Sequence, residues 1–219
     1  FLADIEKEQI RNLIQIDDAY HKIYALGQWA ALKGSIYSKW KMIDEWPEQF
    51  DDVRYGIDFG YNAPTAMVEI GYKDEEVYLR EMLYDTGLTN SNLIEQIEKL
   101  CDKRHKIIAD CAEPDRIEEI YQAGYDIHPC HKGVDSVRRG IDIVRTKTVY
   151  YFCESENLRK EYNVYKWRED SKGNPLDEPV KFKDHLMDAL RYGISYGEAD
   201  ISIYGSDEPA TSSAPLALL

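Results

Sequence analysis

Apolar and polar residues alternate most regularly between residues 53 and 84, where three strand-like runs follow one another closely. Val53–Tyr61 is rich in Val, Tyr, Ile and Phe, and Gly60 with Asn62-Ala63-Pro64 ends it. Thr65–Tyr72 and Glu76–Tyr84 come next, and Lys73-Asp74-Glu75 between them predicts an antiparallel meander. The period then changes. Leu93, Ile94, Ile97 and Leu100 recur at helical spacing over 89–100, with Thr89 or Asn90 as cap. Lys106–Asp110 reads as a short buried strand that ends in an acid. Pro114 opens a helix that runs to Ala123, before Gly124. A strand over Asp126–Pro129, a helix over Val134–Arg145, a strand over Thr148–Phe152 and a helix over Ser155–Tyr162 follow. Val164–Arg168 and Pro179–Phe182 flank Ser171-Lys172-Gly173-Asn174-Pro175 and predict a β-hairpin. Lys183–Tyr196 is the last helix.

Two flanking regions break this rhythm. Asp4–Tyr24 carries a helical pattern, and residues 25–50 scatter Trp29, Tyr37, Trp40, Trp46 and Phe50 among Gly27, Gly34 and Pro47, as an aromatic linker lying on a folded surface. From Ala199 onward Ser, Pro, Gly and Ala dominate, and a flexible tail is expected. The expected organisation is therefore a leader over 1–50, a domain over 51–198 with a hairpin insertion at about 164–182, and a tail over 199–219. A meander followed by alternating helices and strands gives an α/β domain: a mixed sheet of three antiparallel strands plus parallel strands, flanked by helices.

Composition narrows the function. The net charge of −14 argues against strong autonomous binding of nucleic acid, which leaves a basic footprint, and is compatible with clustered acids that hold cations. The four cysteines, Cys101, Cys111, Cys130 and Cys153, show no disulfide-framework spacing, which fits a reducing compartment. No apolar run suggests a membrane span and no signal peptide is visible. The chain begins with Phe1 rather than Met, and a fragment of something longer is expected.

Asp58 is the anomalous residue, a carboxylate inside the apolar run Tyr55-Gly56-Ile57-Asp58-Phe59-Gly60. A buried carboxylate has to be paired, hydrogen-bonded or metal-bound. Asp110 closes Ile107-Ile108-Ala109-Asp110 and meets Asp58 if the two strands pair in parallel. As an isolated residue it reads equally well as a helix cap ahead of Pro114. In Lys183-Asp184-His185-Leu186-Met187-Asp188, the positions of Asp184, His185 and Asp188 share the helix side opposite Leu186, Leu190, Gly193 and Ile194. Such aspartates repel one another unless cations neutralise them, and hard oxygen donors select Mg²⁺ or Mn²⁺. Two such ions about 3.5–4 Å apart activate a water and stabilise the leaving oxygen of a phosphodiester.

The order Tyr55-Gly56-Ile57-Asp58-Phe59-Gly60, Ile108-Ala109-Asp110-Cys111-Ala112-Glu113-Pro114, Lys132-Gly133-Val134-Asp135-Ser136-Val137 and Asp184-His185-Leu186-Met187-Asp188-Ala189-Leu190-Arg191-Tyr192 resembles the ribonuclease H-like nuclease fold. More narrowly, it resembles the C-terminal nuclease domain of the large terminase subunit of tailed bacteriophages, over roughly residues 25–197. The resemblance implies a metal-dependent endonuclease that cuts concatemeric double-stranded viral DNA during genome packaging in the cytoplasm of the infected bacterium. It implies Asp58, Asp110 and Asp188 as ligands of Mg²⁺ or Mn²⁺, with His185 binding a metal or the scissile phosphate, and Glu113 and Asp184 as further candidates. It implies as partners an ATPase domain, a small terminase subunit and a portal protein. No Walker P-loop is present, so the ATPase is expected elsewhere.

For DNA contacts, Lys132, Arg138 and Arg139 form a candidate phosphate cradle at a helix start, and Lys166, Arg168 and Lys172 a candidate basic hairpin. The hairpin also carries Glu169, Asp170, Asp177 and Glu178, and reads as well as an ordinary charged ribbon. Asp58-Phe59-Gly60 is not a kinase motif, since no His-Arg-Asp precedes it. His128-Pro129-Cys130-His131 has no paired C-x-x-C and is read as strand rather than as a zinc site. Two alternatives stay open: another ribonuclease H-like enzyme such as a junction resolvase, and a non-catalytic docking domain.

Overall fold

A computed structural model describes residues 34–197. The helix expected over 4–24 and the tail expected from 199 lie outside the described residues. The architecture is a seven-stranded mixed sheet in the order β1-β7-β4-β3-β2-β5-β6, with β1 Lys41–Ile43, β2 Asp52–Asp58, β3 Thr65–Lys73, β4 Glu76–Asp85, β5 Lys106–Ala109, β6 Ile127–Pro129 and β7 Thr148–Phe152. Five helices cover it: α1 Asn90–Leu100, α2 Pro114–Gln122, α3 Ser136–Thr146, α4 Glu156–Val164 and α5 His185–Ser195. A separate two-stranded ribbon joins β8 Trp167–Glu169 to β9 Pro175–Pro179.

The meander forms as its pattern dictates. β3 pairs antiparallel with β2 and with β4. Asp74 and Glu75 turn the chain with φ of 51° and 64°, the two positive values that a tight hairpin turn needs to match strand twist. β2 pairs in parallel with β5, and β5 with β6. Core residues divide between the two faces. Ile57, Met67, Leu93, Ile97, Ile107 and Ile120 pack on the side of α1 and α2. Val68, Ile70, Ile141, Leu158, Leu186 and Leu190 pack on the side of α3, α4 and α5.

Helix α5 is buried from Leu186 to Ile194. This departs from the expectation of one apolar and one polar side, because α5 is sandwiched between the sheet and α3 and α4. Its approach to the sheet depends on glycine: a Cβ on Gly56 of β2 would lie 2.0 Å from the carbonyl oxygen of Ala189.

The aromatic stretch also differs from the expected surface linker. Ile36 and Tyr37 are buried, β1 adds a parallel edge strand to β7, and Trp40 stacks between Tyr37 and Tyr162 at 4.9 and 4.7 Å. Its large rings are spent closing the sheet edge. The hairpin begins later and returns earlier than its pattern suggests. The side chain of Asp170 accepts from the backbone of Lys172 and Asn174, and this compact turn lets β9 restart at Pro175. Among the described residues no helix is long and apolar enough to cross a membrane.

Candidate active site

β2 ends at Asp58, and the parallel register pairs Ile57 with Ala109. The next residue along β5, Asp110, donates its backbone N–H to the carbonyl of Ile57 at 3.2 Å. The two acids therefore emerge side by side from neighbouring strand ends. The start of α5 meets the same end of the sheet with Asp184 at its N-cap and His185 and Asp188 in its first turn. The structure thus brings Asp58, Asp110, Asp184, His185 and Asp188 to one end of the sheet.

Each carboxylate there has a cationic or protonatable partner. His185 Nδ1 lies 3.0 Å from Asp58 Oδ2. Arg191 donates to Asp188 Oδ1 at 2.7 Å, and Lys181 Nζ lies 3.3 Å from Asp188 and 3.2 Å from Asp184. Lys132 pairs with Asp110. Burial pushes the Asp58 carboxyl up to about 6, with the nearby Asp188 and Asp110 charges adding to the rise and His185 opposing it. Burial would lower the His185 imidazole, but its bond to Asp58 and the charges of Asp58, Glu161 and Asp184 outweigh that and raise it. Burial and the Asp188 charge raise Asp184. Burial also works against the Asp188 charge, yet Arg191 and Lys181 together hold its carboxyl below the usual range.

This donor set of hard carboxylate oxygens and one imidazole suits Mg²⁺ or Mn²⁺. The ammonium groups of Lys132 and Lys181 sit against the same carboxylates and occupy the role of counter-cations. The carboxylates are not drawn into a closed ligand sphere. Among the described residues, the group whose metal-capable atoms all lie within 4.8 Å of one another is Asp110, Cys111 and Cys130. The remaining candidate, Glu113, stands at the N-cap position of α2 without a side-chain cap bond and pairs with Arg116 at 2.7 Å.

Two residues of the site were not anticipated. Glu161 of α4 is 1% exposed and accepts from the backbone of Leu186 at 2.7 Å and Met187 at 3.3 Å, and from the Tyr84 hydroxyl at 2.9 Å. It satisfies the first turn of α5, where Asp184 makes no side-chain cap. Burial pushes its carboxyl up to about 7 against these bonds. Its signal in the sequence is an acid on the apolar stripe Leu158, Glu161, Val164. The other is Arg191, 5% exposed and held on Asp188.

The proposed DNA contacts fare unevenly. Lys166 is 3% exposed, because the stretch around it seals the body of the fold beside buried Tyr165, and it does not offer a surface ammonium to a phosphate. Arg138 pairs with Asp142 and Asp177, and Arg168 with Glu178 at 3.0 Å. Lys132 is engaged with Asp110, and Lys172 is exposed at the ribbon turn. Arg139 lines a cavity of about 340 Å³ with His131, Ser136 and Arg191. His128 is a β6 residue beside Asp126 at 2.8 Å, as its strand reading requires.

Known proteins resemble this chain in sequence and in fold. The large terminase subunit of Bacillus phage SPP1 is 27% identical over 175 residues, covering 72% of this chain and 39% of that protein. The chain thus spans well under half the length of that relative. The nuclease domain of the SPP1 large terminase, solved with bound manganese, superposes with a TM-score of 0.64 at 24% identity, covering 74% of this chain and 97% of that one. The large terminase of the thermophilic bacteriophage D6E, in complex with ATP-γ-S, gives 0.64 at 23% identity over 89% of this chain and 52% of that one. The architecture is therefore that of ribonuclease H-like nuclease domains. The sequence pattern described as "Terminase RNAseH like domain" matches residues 58–196, and the chain belongs to that family of the terminase large subunit.

Proposed function

We propose that this chain is the nuclease segment of a phage packaging terminase, a divalent-metal-dependent endonuclease that cuts double-stranded concatemeric DNA. The observation that carries this reading is the meeting of Asp58, Asp110 and Asp188 at one end of the sheet, each facing a cationic or protonatable side chain. The manganese bound by the SPP1 nuclease domain supports a divalent ion in this chain as well. Asp58, Asp110 and Asp188 hold Mg²⁺ or Mn²⁺, in two positions, and Asp184 lends further negative charge. A bound ion of this class supplies Lewis acidity, lowering the pKa of water and stabilising the leaving oxygen of the phosphodiester.

The protein's own part is positioning. The Asp58–His185 pair fixes the imidazole, which then donates to a non-bridging oxygen of the scissile phosphate. Arg191 holds Asp188 Oδ1 inside the core, which leaves Oδ2 to Lys181 and, once Lys181 is displaced, to the ion. Lys132 and Lys181 balance the carboxylates until a stronger cation replaces them, and can then turn to DNA phosphates. With a net charge of −14 the chain binds duplex weakly, so duplex is delivered by the ATPase domain, small subunit and portal of the same machine, in the cytoplasm of the infected bacterium.

The test is incubation of supercoiled plasmid with the purified chain and Mn²⁺, against the same mixture with a chelator. Relaxed and linear products that need the metal are expected. A folded chain that leaves the plasmid intact with Mn²⁺ and with Mg²⁺ overturns the reading.

A further inference from the structure

A second, softer ligand set adjoins the carboxylates. β5 and β6 run in parallel with Ala109 opposite Pro129, and the backbone of Cys130 donates to the carbonyl of Ala109 at 2.7 Å. The chain turns directly after β5, where Asp110 Oδ1 accepts from the backbone of Ala112 at 3.0 Å. This turn sets Cys111 beside Cys130. One carboxylate oxygen and two sulfurs thus lie within 4.8 Å of one another, with Cys130 buried and Cys111 half-buried.

We infer that Asp110, Cys111 and Cys130 form a binding site for a thiophilic divalent cation of the Zn²⁺ or Cd²⁺ class, which competes with the carboxylate centre for Asp110. Tetrahedral zinc sites have Zn–S of about 2.3 Å and Zn–O of about 2.0–2.2 Å, so their ligands stand roughly 3.5–3.8 Å apart. The trio needs to close by at most about 1.3 Å to reach that spacing, a change within the reach of side-chain rotation at a turn. Thiolates select this class of ion over Mg²⁺ or Mn²⁺, which prefer oxygen. On binding, the two thiols each lose a proton to solvent, and water completes the fourth position. Burial pushes the Cys130 thiol up to about 11, so the ion has to expel its proton. Lys132, which pairs with Asp110 from an exposed position, is the cation such an ion has to displace.

The site itself is independent of the nuclease reading; only its inhibitory consequence rests on it. The first arm uses the reduced chain without DNA, titrated with Cd²⁺ alone and followed by the thiolate-to-cadmium charge-transfer absorption in the ultraviolet. The band is expected to saturate at one ion per chain. Cys111→Ser should halve its intensity and weaken binding by roughly 10-fold or more, a loss that even outer-shell partners can produce. Cys130→Ala, checked by thermal melting, should do the same. A band undiminished in either folded variant, or no saturable band in the parent, overturns the site. The second arm adds Zn²⁺ to the Mn²⁺ plasmid reaction. One equivalent should suppress cleavage by the parent and spare Cys111→Ser. Saturable Cd²⁺ binding with cleavage that Zn²⁺ leaves untouched overturns the competition for Asp110. No cleavage with Mn²⁺ overturns the nuclease reading and leaves the first arm standing.

Discussion

Glu161→Ala tests how the helix that carries Asp188 is held. Glu161 accepts from Leu186 N–H at 2.7 Å, Met187 N–H at 3.3 Å and the Tyr84 hydroxyl at 2.9 Å. The substitution strands two backbone donors at the buried start of α5, and each unsatisfied donor costs about 1–3 kcal/mol. Relief from burying a carboxyl group offsets part of this, leaving a net loss of about 3 kcal/mol. For a chain of this size that lowers the melting temperature by about 6–12 °C. Glu161→Gln keeps an acceptor for the two N–H groups and places its amide nitrogen against the Tyr84 oxygen, so its loss should stay below about 1 kcal/mol. The assay is thermal melting by circular dichroism of parent and both variants without divalent ions. An Ala variant that melts with the parent, or a Gln variant as weak as Ala, refutes the role of Glu161 as the cap of α5.

Three further outcomes follow. Gly56→Ala should destabilise the chain by about 3 kcal/mol or prevent folding, because backbone rather than a flexible side chain meets the new methyl at 2.0 Å; an Ala variant of parental stability by denaturant titration contradicts the packing of α5 on β2. Arg191→Met leaves Asp188 buried beside Asp184 with Lys181 as its remaining cation, and should cost about 3–5 kcal/mol, read by the same titration. The pH dependence has a definite sign. Folded Glu161 titrates at about 7 against 4.5 unfolded, so the native state holds more protons between those values and the Glu161 contribution falls as pH rises through them. Melting of the metal-free parent should therefore drop more steeply from pH 5 to pH 7.5 than that of Glu161→Gln, and equal slopes would count against a buried, protonatable Glu161.

What was legible in the sequence was local. The meander, the helix starts at Thr89 and Pro114, and the anomaly of Asp58 in an apolar strand could be read because strand alternation and turn residues act over a few positions. The neighbouring of Asp58 and Asp110 followed from topology, since a parallel pair aligns its strand ends. Features that depended on long-range packing were not legible. Trp40 and Tyr37 look alike in a linker and in a sheet edge until β7 is there to pair with. Lys166 belongs to a basic run by composition but to the interior by its position beside Tyr165. The polar side assigned to α5 is buried, because Asp188 pairs with Arg191 of the same helix while Glu161 of the distant α4 accepts the N–H groups of its first turn. The mixed group of Asp110, Cys111 and Cys130 required two strand ends to meet, although each cysteine was visible singly.

The central claim, that carboxylates at the sheet end hold the ion that cleaves DNA, is tested most directly by Asp58→Asn in the Mn²⁺ plasmid assay, with melting run alongside. The amide keeps the shape and removes the anion, and also relieves a carboxyl strained by burial and by the nearby Asp188 and Asp110 charges. The variant should fold at least as well as the parent and lose cleavage by orders of magnitude, because both the activation of water and the stabilisation of the leaving oxygen depend on the same ion site. A folded Asp58→Asn chain that relaxes and linearises plasmid at the parental rate contradicts the account.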